Sequence, residues 1–212
     1  MLPFFKTEAA KGRIYIIGSK QFMKKYKWNI RGLSAHMAQI CSNTINMKYA
    51  HNVLRNAIEN NQVILAVTQE RNLPIGFLIF KKNVKCLKSP PNIRMLEISL
   101  ICTDTVLARD QNRKAIGSTL LGWFIYEAKQ SKMFDMIILE VANPGVASGS
   151  KYGTSKLHNT HAYNFYKKFG FIETPSIFTK WKCFNQLYAY PSMKLDLNKL
   201  KLNELKKQIE KH

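Results

Sequence analysis

Residues 111–121, QNRKAIGSTLL, hold the most concentrated anion-binding chemistry in the sequence. A helical apolar period opens near Ala115, with Ile116, Leu120, Leu121, Phe124 and Ala128 on one face, so a helix is expected over 115–130. The first backbone N–H groups of a helix lack intrahelical partners, and the helix dipole adds partial positive charge there. Arg113 and Lys114 add formal charge, and Asn112 precedes them. Ala115 and Gly117 leave the backbone open to close approach, Ile116 sits between them, and Ser118 offers a hydroxyl. A phosphate fits such a cradle. An ordinary helix start carries the same ingredients.

Other groups could move protons. Glu97 is a lone carboxylate inside the apolar run MLEISLI (95–101), and its bland alternative is pairing with a lysine. His158 and His161 titrate near neutrality but are expected on a loop and a surface. Cys102 has no histidine placed by sequence to activate it, so a buried strand thiol is expected. Cys41, Cys86, Cys102 and Cys183 form no C-x-x-C pair and no histidine pair has metal spacing, so no metal site is expected. Scattered cysteines read as reduced thiols in an intracellular, cytoplasmic protein. No signal peptide and no membrane span are expected.

The elements that must position these groups follow from the pattern. Residues 13–18 and 62–68 read as strands, 75–84 closes a hairpin, and 93–103 is a long third strand. Residues 20–60 read as two helices with a break near Trp28–Leu33. The apolar run 134–141 is expected at the centre of a sheet, parallel to 93–103 across the 115–130 helix. Residues 142–158 form a long Gly- and Ser-rich loop, either functional or an inert surface loop. NTHAYNFYKKFGF (159–171) is a helix with Ala162, Phe165, Tyr166 and Phe169 on one stripe, ended by Gly170 as a left-handed cap. Strands follow near 171–180 and 187–197, and 198–212 is an amphipathic helix. One domain is expected over 1–212: an N-terminal strand and variable helices to 60, a core over 61–197, and the terminal helix.

Charge narrows the partners. There are 33 Lys and Arg against 13 Asp and Glu, a formal net of +20. Such a field draws polyanions, including phosphate-bearing cofactors and, nonspecifically, nucleic acid, or it is simply solvated.

The order of meander, phosphate-type loop, helix and central strand, followed by NTHAYNFYKKFGF, resembles the GNAT superfamily of acyl-coenzyme A-dependent N-acetyltransferases. That family's phosphate loop runs Gln/Arg-x-x-Gly-x-Gly/Ala. Here Asn112 stands first, Ala115 replaces the first glycine, and Gly117 matches the last. The second signature, Asn-x-x-Ala-x-x-Phe-Tyr-x-x-x-Gly-Phe, is filled by Asn159, Ala162, Phe165, Tyr166, Gly170 and Phe171. The resemblance covers about 60–194.

It implies an α/β (α+β) fold: a mixed, mostly antiparallel sheet flanked by helices, with strands four and five splayed. Acetyl-coenzyme A would lie in the splay between 96–103 and 134–141. Backbone at Leu100, Ile101 and Cys102 would hold the arm and polarise the thioester. The pyrophosphate would sit on 112–118. Asn159 would either bind the pantetheine or cap the helix, with Ala162 and Phe165 beside it. Tyr166 would protonate the departing thiolate, or only pack on the cofactor, its pKa being expected not far above a thiol's. Glu97 would accept the amine's proton, directly or through water. Loop 142–158 could cover the acceptor or bind the cofactor's 3′-phosphate. The acceptor is a primary amine of a protein or small molecule, met in a ternary complex by a monomer or homodimer. The competing expectation is an inactive member of this fold that binds nucleic acid through its basic surface.

Overall fold

A computed structural model describes residues 14–41, 47–86, 90, 92–104, 116–141, 160–174 and 192–205. Its strands are β1 (Ile14–Gly18), β2 (Val63–Thr68), β3 (Pro74–Lys82), β4 (Met95–Thr103), β5 (Met136–Glu140), β6 (Ile172–Glu173) and β7 (Ser192–Asp196). Its helices are α1 (Ser19–Tyr26), α2 (Ile30–Ile40), α3 (Met47–Glu59), α4 (Ile116–Ser131) and α5 (Thr160–Lys168), with a short 3-10 turn at Leu197–Lys199. The sheet runs β1-β2-β3-β4-β5-β7-β6. The described pairings are antiparallel except β4 with β5, which is parallel. This is the mixed, mostly antiparallel sheet expected from the sequence.

By contact the chain divides into two compact units, Met1–Phe80 with Leu100–Phe124 and Asn203–His212, and Lys81–Ser99 with Ile125–Leu202. In the first, the apolar stripes of α1, α2 and α3 pack on β2 and β3. Phe22, Leu33, Met37, Leu54, Ile58, Leu65 and Phe77 are fully buried there. At about 25 cal/mol per Å² of apolar surface, each such side chain contributes roughly 1.5–3 kcal/mol.

The expected pair of helices over 20–60 is three. The first break falls where expected: Lys27 takes a left-handed φ of 56°, and the Asn29 side chain caps α2 by accepting from the Gly32 N–H at 2.7 Å. The second separates α2, capped at Cys41, from α3. No Gly or Pro marks it; the sequence signal is the polar cluster Ser42, Asn43, Thr44 and Asn46.

In the second unit β5 is buried on both faces, from Met136 through Leu139. Such a continuous apolar run is what a central parallel strand needs. Asp135 fixes where β4 and β5 begin. It accepts from the Arg94 backbone N–H at 2.9 Å, from Arg94 Nε at 3.1 Å and from Arg94 Nη2 at 2.9 Å. Those bonds to Arg94 hold the Asp135 carboxyl down at about 2.

Glu127, on α4, is buried, and burial raises its carboxyl to about 7. The raised folded value means the unfolded chain ionises first as pH rises from 4.5, so stability falls until about 7 and stays low above it. Glu127→Gln is therefore expected to be neutral near about pH 4 and stabilising by about 1–2 kcal/mol near about pH 8, after discounting for solvent relaxation. Urea unfolding at the two pH values checks it; an equal change at both sinks it.

Candidate functional site

β4 and β5 pair in parallel from Met95 opposite Met136 to Ile98 opposite Leu139. β4 runs on to Thr103, past the last of these pairs. Burial changes at the same place: Met95, Leu96 and Ile98 are buried, whereas Ser99 is exposed and Leu100 and Ile101 are half-buried. The fourth strand thus continues beyond its described pairing with the fifth, less buried at Ser99, Leu100 and Ile101 and buried again at Cys102.

That tail is anchored from the other side. β2 and β3 slip register between Ala66 and Val67: Ala66 faces Gly76 while Val67 faces Pro74, leaving Ile75 as a bulge. The freed Ile75 carbonyl accepts from the Asp104 N–H at 2.8 Å. His36 Nε2, on α2, lies 2.8 Å from the Pro74 carbonyl. A Cβ at Gly76 would come within 2.9 Å of Ile116 Cγ2 and 3.2 Å of the Cys102 carbonyl oxygen. The end of β4 and the first residue of α4 therefore meet at Gly76, and only a residue without a side chain lets them.

Cys41 and Cys102 form a disulfide across 61 residues, with Cα atoms 5.7 Å apart. This corrects the expectation of reduced thiols. The partners lie on different elements, the end of α2 and the tail of β4, so spacing could not pair them. Peptide mapping without reductant should recover Cys41 and Cys102 in one linked species; separate peptides would remove the bond.

The expected site residues divide as follows. Leu100, Ile101 and Cys102 lie on the β4 tail, and Ile116, Gly117 and Ser118 form the first turn of α4, with Gly117 and Ser118 half-buried. Asn112, Arg113, Lys114, Ala115, Asn159, His158 and the loop 142–158 lie outside the described residues. His161 is exposed on α5.

On α5 the helix stops as expected. Gly170 has φ 85°, and the Phe171 N–H donates back to the Tyr166 carbonyl at 3.3 Å. Ala162 and Phe165 are half-buried, while Tyr166 and Phe169 are buried. Tyr166, more than Phe165, is core. Its ring meets Phe165 and Phe171 edge-on, with centroids 5.3 and 5.6 Å apart. Burial pushes its phenol well above the ordinary value, so it is further from a thiol than expected.

Glu97 accepts from Lys81 Nζ at 2.8 Å and from Ser99 Oγ at 2.9 Å. The lysine-paired alternative is what the structure places there. A carboxylate the sequence reading passed over, Glu140, ends β5; burial, then the Glu97 charge, raises it to about 7, against the pull of Lys81. Its only signal in sequence was a lone acid closing an apolar run.

Cations gather elsewhere. No Asp or Glu occurs between Glu8 and Glu59. Lys20, Lys24, Lys25, Lys27 and Arg31, on and after α1, are all exposed. No group of metal-binding side chains occurs among the described residues, and no described helix is long and apolar enough to cross a membrane.

The combination of a parallel β4–β5 pair that ends early, an α4 tip beside the β4 tail and a Gly-capped α5 defines the GNAT fold, and solved structures of that fold match the chain. The NatC complex bound to Gag peptide and CoA matches with a TM-score of 0.54 at 17% identity, over 87% of this chain and 98% of that one. A protein assigned to the GNAT family of acetyltransferases from Desulfovibrio desulfuricans matches with a TM-score of 0.54 at 10% identity, over 87% and 99%. A bacterial toxin matches with a TM-score of 0.52 at 14% identity, over 95% and 98%. Neither a protein-family model nor a curated protein matches the chain by sequence.

Proposed function

We propose that this protein is an N-acetyltransferase that takes an acetyl group from acetyl-coenzyme A and places it on a primary amine by direct attack. The observation that carries the reading is the β4 tail, which continues past its pairing with β5 and is less buried at Ser99, Leu100 and Ile101. A pantetheine arm can lie on such a strand as an added strand does, by backbone hydrogen bonds. The residues present fit that group. Leu100, Ile101 and Cys102 would hold the arm, and a backbone N–H among them would polarise the carbonyl. The amides of Ile116, Gly117 and Ser118 would hold phosphate, with Asn112, Arg113, Lys114 and Ala115 ahead of them. Asn159, Ala162 and Phe165 would flank the arm. When bound, the thioester supplies an acyl group activated towards nitrogen. Tyr166 keeps its proton at neutral pH and can present it to the departing sulfur. The NatC match, a structure containing CoA and a peptide, supports both the donor and an amine acceptor.

The test is calorimetry with acetyl-coenzyme A, followed by thiol release with a panel of amines: peptides with free N-termini, lysine-containing acidic peptides and small-molecule amines. Absence of binding ends the reading.

A second reading, polyanion binding without turnover, is favoured by the exposed cations of α1 in an acid-free stretch of chain. Fluorescence anisotropy with single-stranded RNA in rising salt checks it. The expected outcome is steeply salt-dependent binding that Lys24→Gln with Lys25→Gln weakens.

A further inference from the structure

We infer that the Cys41–Cys102 disulfide is a redox lock on donor binding: closed, it holds the β4 tail in the shape that takes acetyl-coenzyme A, and a dithiol that opens it turns binding down. The inference rests on the acetyltransferase reading above and adds a regulation of that site.

Three links join three segments in a ring. His36 Nε2, on α2, lies 2.8 Å from the Pro74 carbonyl. The neighbouring Ile75 carbonyl accepts from the Asp104 N–H at 2.8 Å, just beyond β4. Cys102, on the β4 tail, is bonded to Cys41, which ends α2. All of these residues lie in one compact unit, together with Leu100, Ile101 and the first turn of α4. Of the three links the disulfide alone opens with a change of redox state.

The lock acts on backbone that the donor would use. Leu100 and Cys102 alternate onto the face of β4 that packs in the core cluster with α1, α2 and α3. The Cys102 carbonyl and Ile116, the first residue of α4, both close on Gly76. A shift of Cys102 therefore moves the strand proposed to hold the arm and presses on the turn proposed to hold phosphate.

Opening the bond forces such a shift. A covalent S–S bond spans about 2.0 Å. Sulfurs not bonded to each other stand further apart, as Cys86 Sγ and Met95 Sδ do at 4.0 Å. The extra room must come from a close-packed core. α2 is held in place, with Leu33, Met37 and Ala38 buried and His36 tied to Pro74. The β4 tail is looser, with Ser99 exposed and Leu100 and Ile101 half-buried. The tail yields, and a binding strand that is no longer preorganised loses affinity.

The exchange balances. Cys102 is 7% exposed and Cys41 1%, so attack falls on Cys102. A thiolate of the dithiol bonds to Cys102 Sγ as the S–S bond breaks, and Cys41 leaves as a thiolate and takes a proton from water. The second thiol then displaces Cys102 and closes the reductant's own disulfide. Two electrons pass to the protein, and two cysteine thiols form. Linkage is reciprocal: a donor that binds the closed form about tenfold more tightly makes the bond harder to reduce by the same factor, a shift of about 30 mV to more negative potential.

Cys86 is disulfide-bonded as well, so Cys41→Ser, nearly isosteric with the thiol, is used to open this one bond permanently. Calorimetry with acetyl-coenzyme A should give a Kd about tenfold weaker for Cys41→Ser, and for wild type reduced by a phosphine, than for oxidised wild type; reoxidation should restore it. Hydrogen exchange should quicken at amides 99–104 and hold steady at 33–38. The Cys41–Cys102 midpoint, read by alkylation and peptide mass in glutathione buffers, should fall by about 30 mV in saturating acetonyl-coenzyme A, a thioether inert to thiols. Equal Kd values for the folded closed and open forms, or an unmoved midpoint, make the bond a staple of the core and overturn the inference. Wild type cycled between the two states decides the case if Cys41→Ser does not fold. If oxidised wild type binds no donor, the acetyltransferase reading fails instead, and hydrogen exchange alone decides whether the bond holds the tail: quickened exchange at 99–104 upholds the lock and unchanged exchange overturns it.

Discussion

Tyr166→Phe is expected to lower kcat by about a hundredfold and leave acetyl-coenzyme A affinity within about twofold, the size of effect a positioned proton donor supplies. The change removes one oxygen and keeps the ring. Tyr166 is buried, edge-on to Phe165 and Phe171, so a phenylalanine fills its volume and the fold should survive. The burial that holds the ring also raises the phenol's pKa. The proton is thus held tightly, and on the acetyltransferase reading it would pass to the sulfur only as negative charge develops there. A dependence on leaving-group basicity follows. Thioesters of more acidic thiols should be less sensitive to the substitution. Single-turnover rates with acetyl-coenzyme A and a more acidic acetyl thioester measure both effects, and an unchanged rate in the variant removes the donor.

Gly76→Val should destabilise the protein by about 3 kcal/mol, which for a chain of this size lowers Tm by roughly 10 °C. The first added carbon would already press on Ile116 Cγ2 at 2.9 Å, and on the Cys102 carbonyl and Leu120 Cδ1 at 3.2 Å. One of these is backbone, on a strand whose next residues are held by the Ile75 carbonyl and by the bond from Cys102 to Cys41. It has little freedom to retreat. Valine's second and third carbons worsen the clash, so Gly76→Ala should cost less than half as much. Thermal unfolding of the two variants checks the order. Equal Tm values for Gly76→Val and wild type would mean that β4 and α4 do not approach as described.

Local pattern carried most of the fold. β2 and β5 stand where apolar runs placed them, because a buried strand must be apolar along its length. The α5 stop was legible in one residue, since few residues other than glycine take φ 85° without strain. What stayed hidden depends on residues far apart. Which of the neighbours Phe165 and Tyr166 turns inward is set by what faces the helix, not by a period of 3.6. Whether Glu97 is paired, and with which lysine, could not be read, because Lys81 sits on another strand. Glu140 drew no notice because its perturbation arises from burial and from Glu97, which only the β4–β5 register brings close. The division between α2 and α3 was marked only by Ser42, Asn43, Thr44 and Asn46, with no Gly or Pro.

The bond between Cys41 and Cys102 also bears on how turnover can be watched. No cysteine among the described residues is free. A colour reagent for sulfhydryls added to the reaction would then see the released coenzyme against a low blank from the catalyst, provided that buffers are kept free of dithiothreitol. The same vials without an acceptor would report how well the donor is shielded from water.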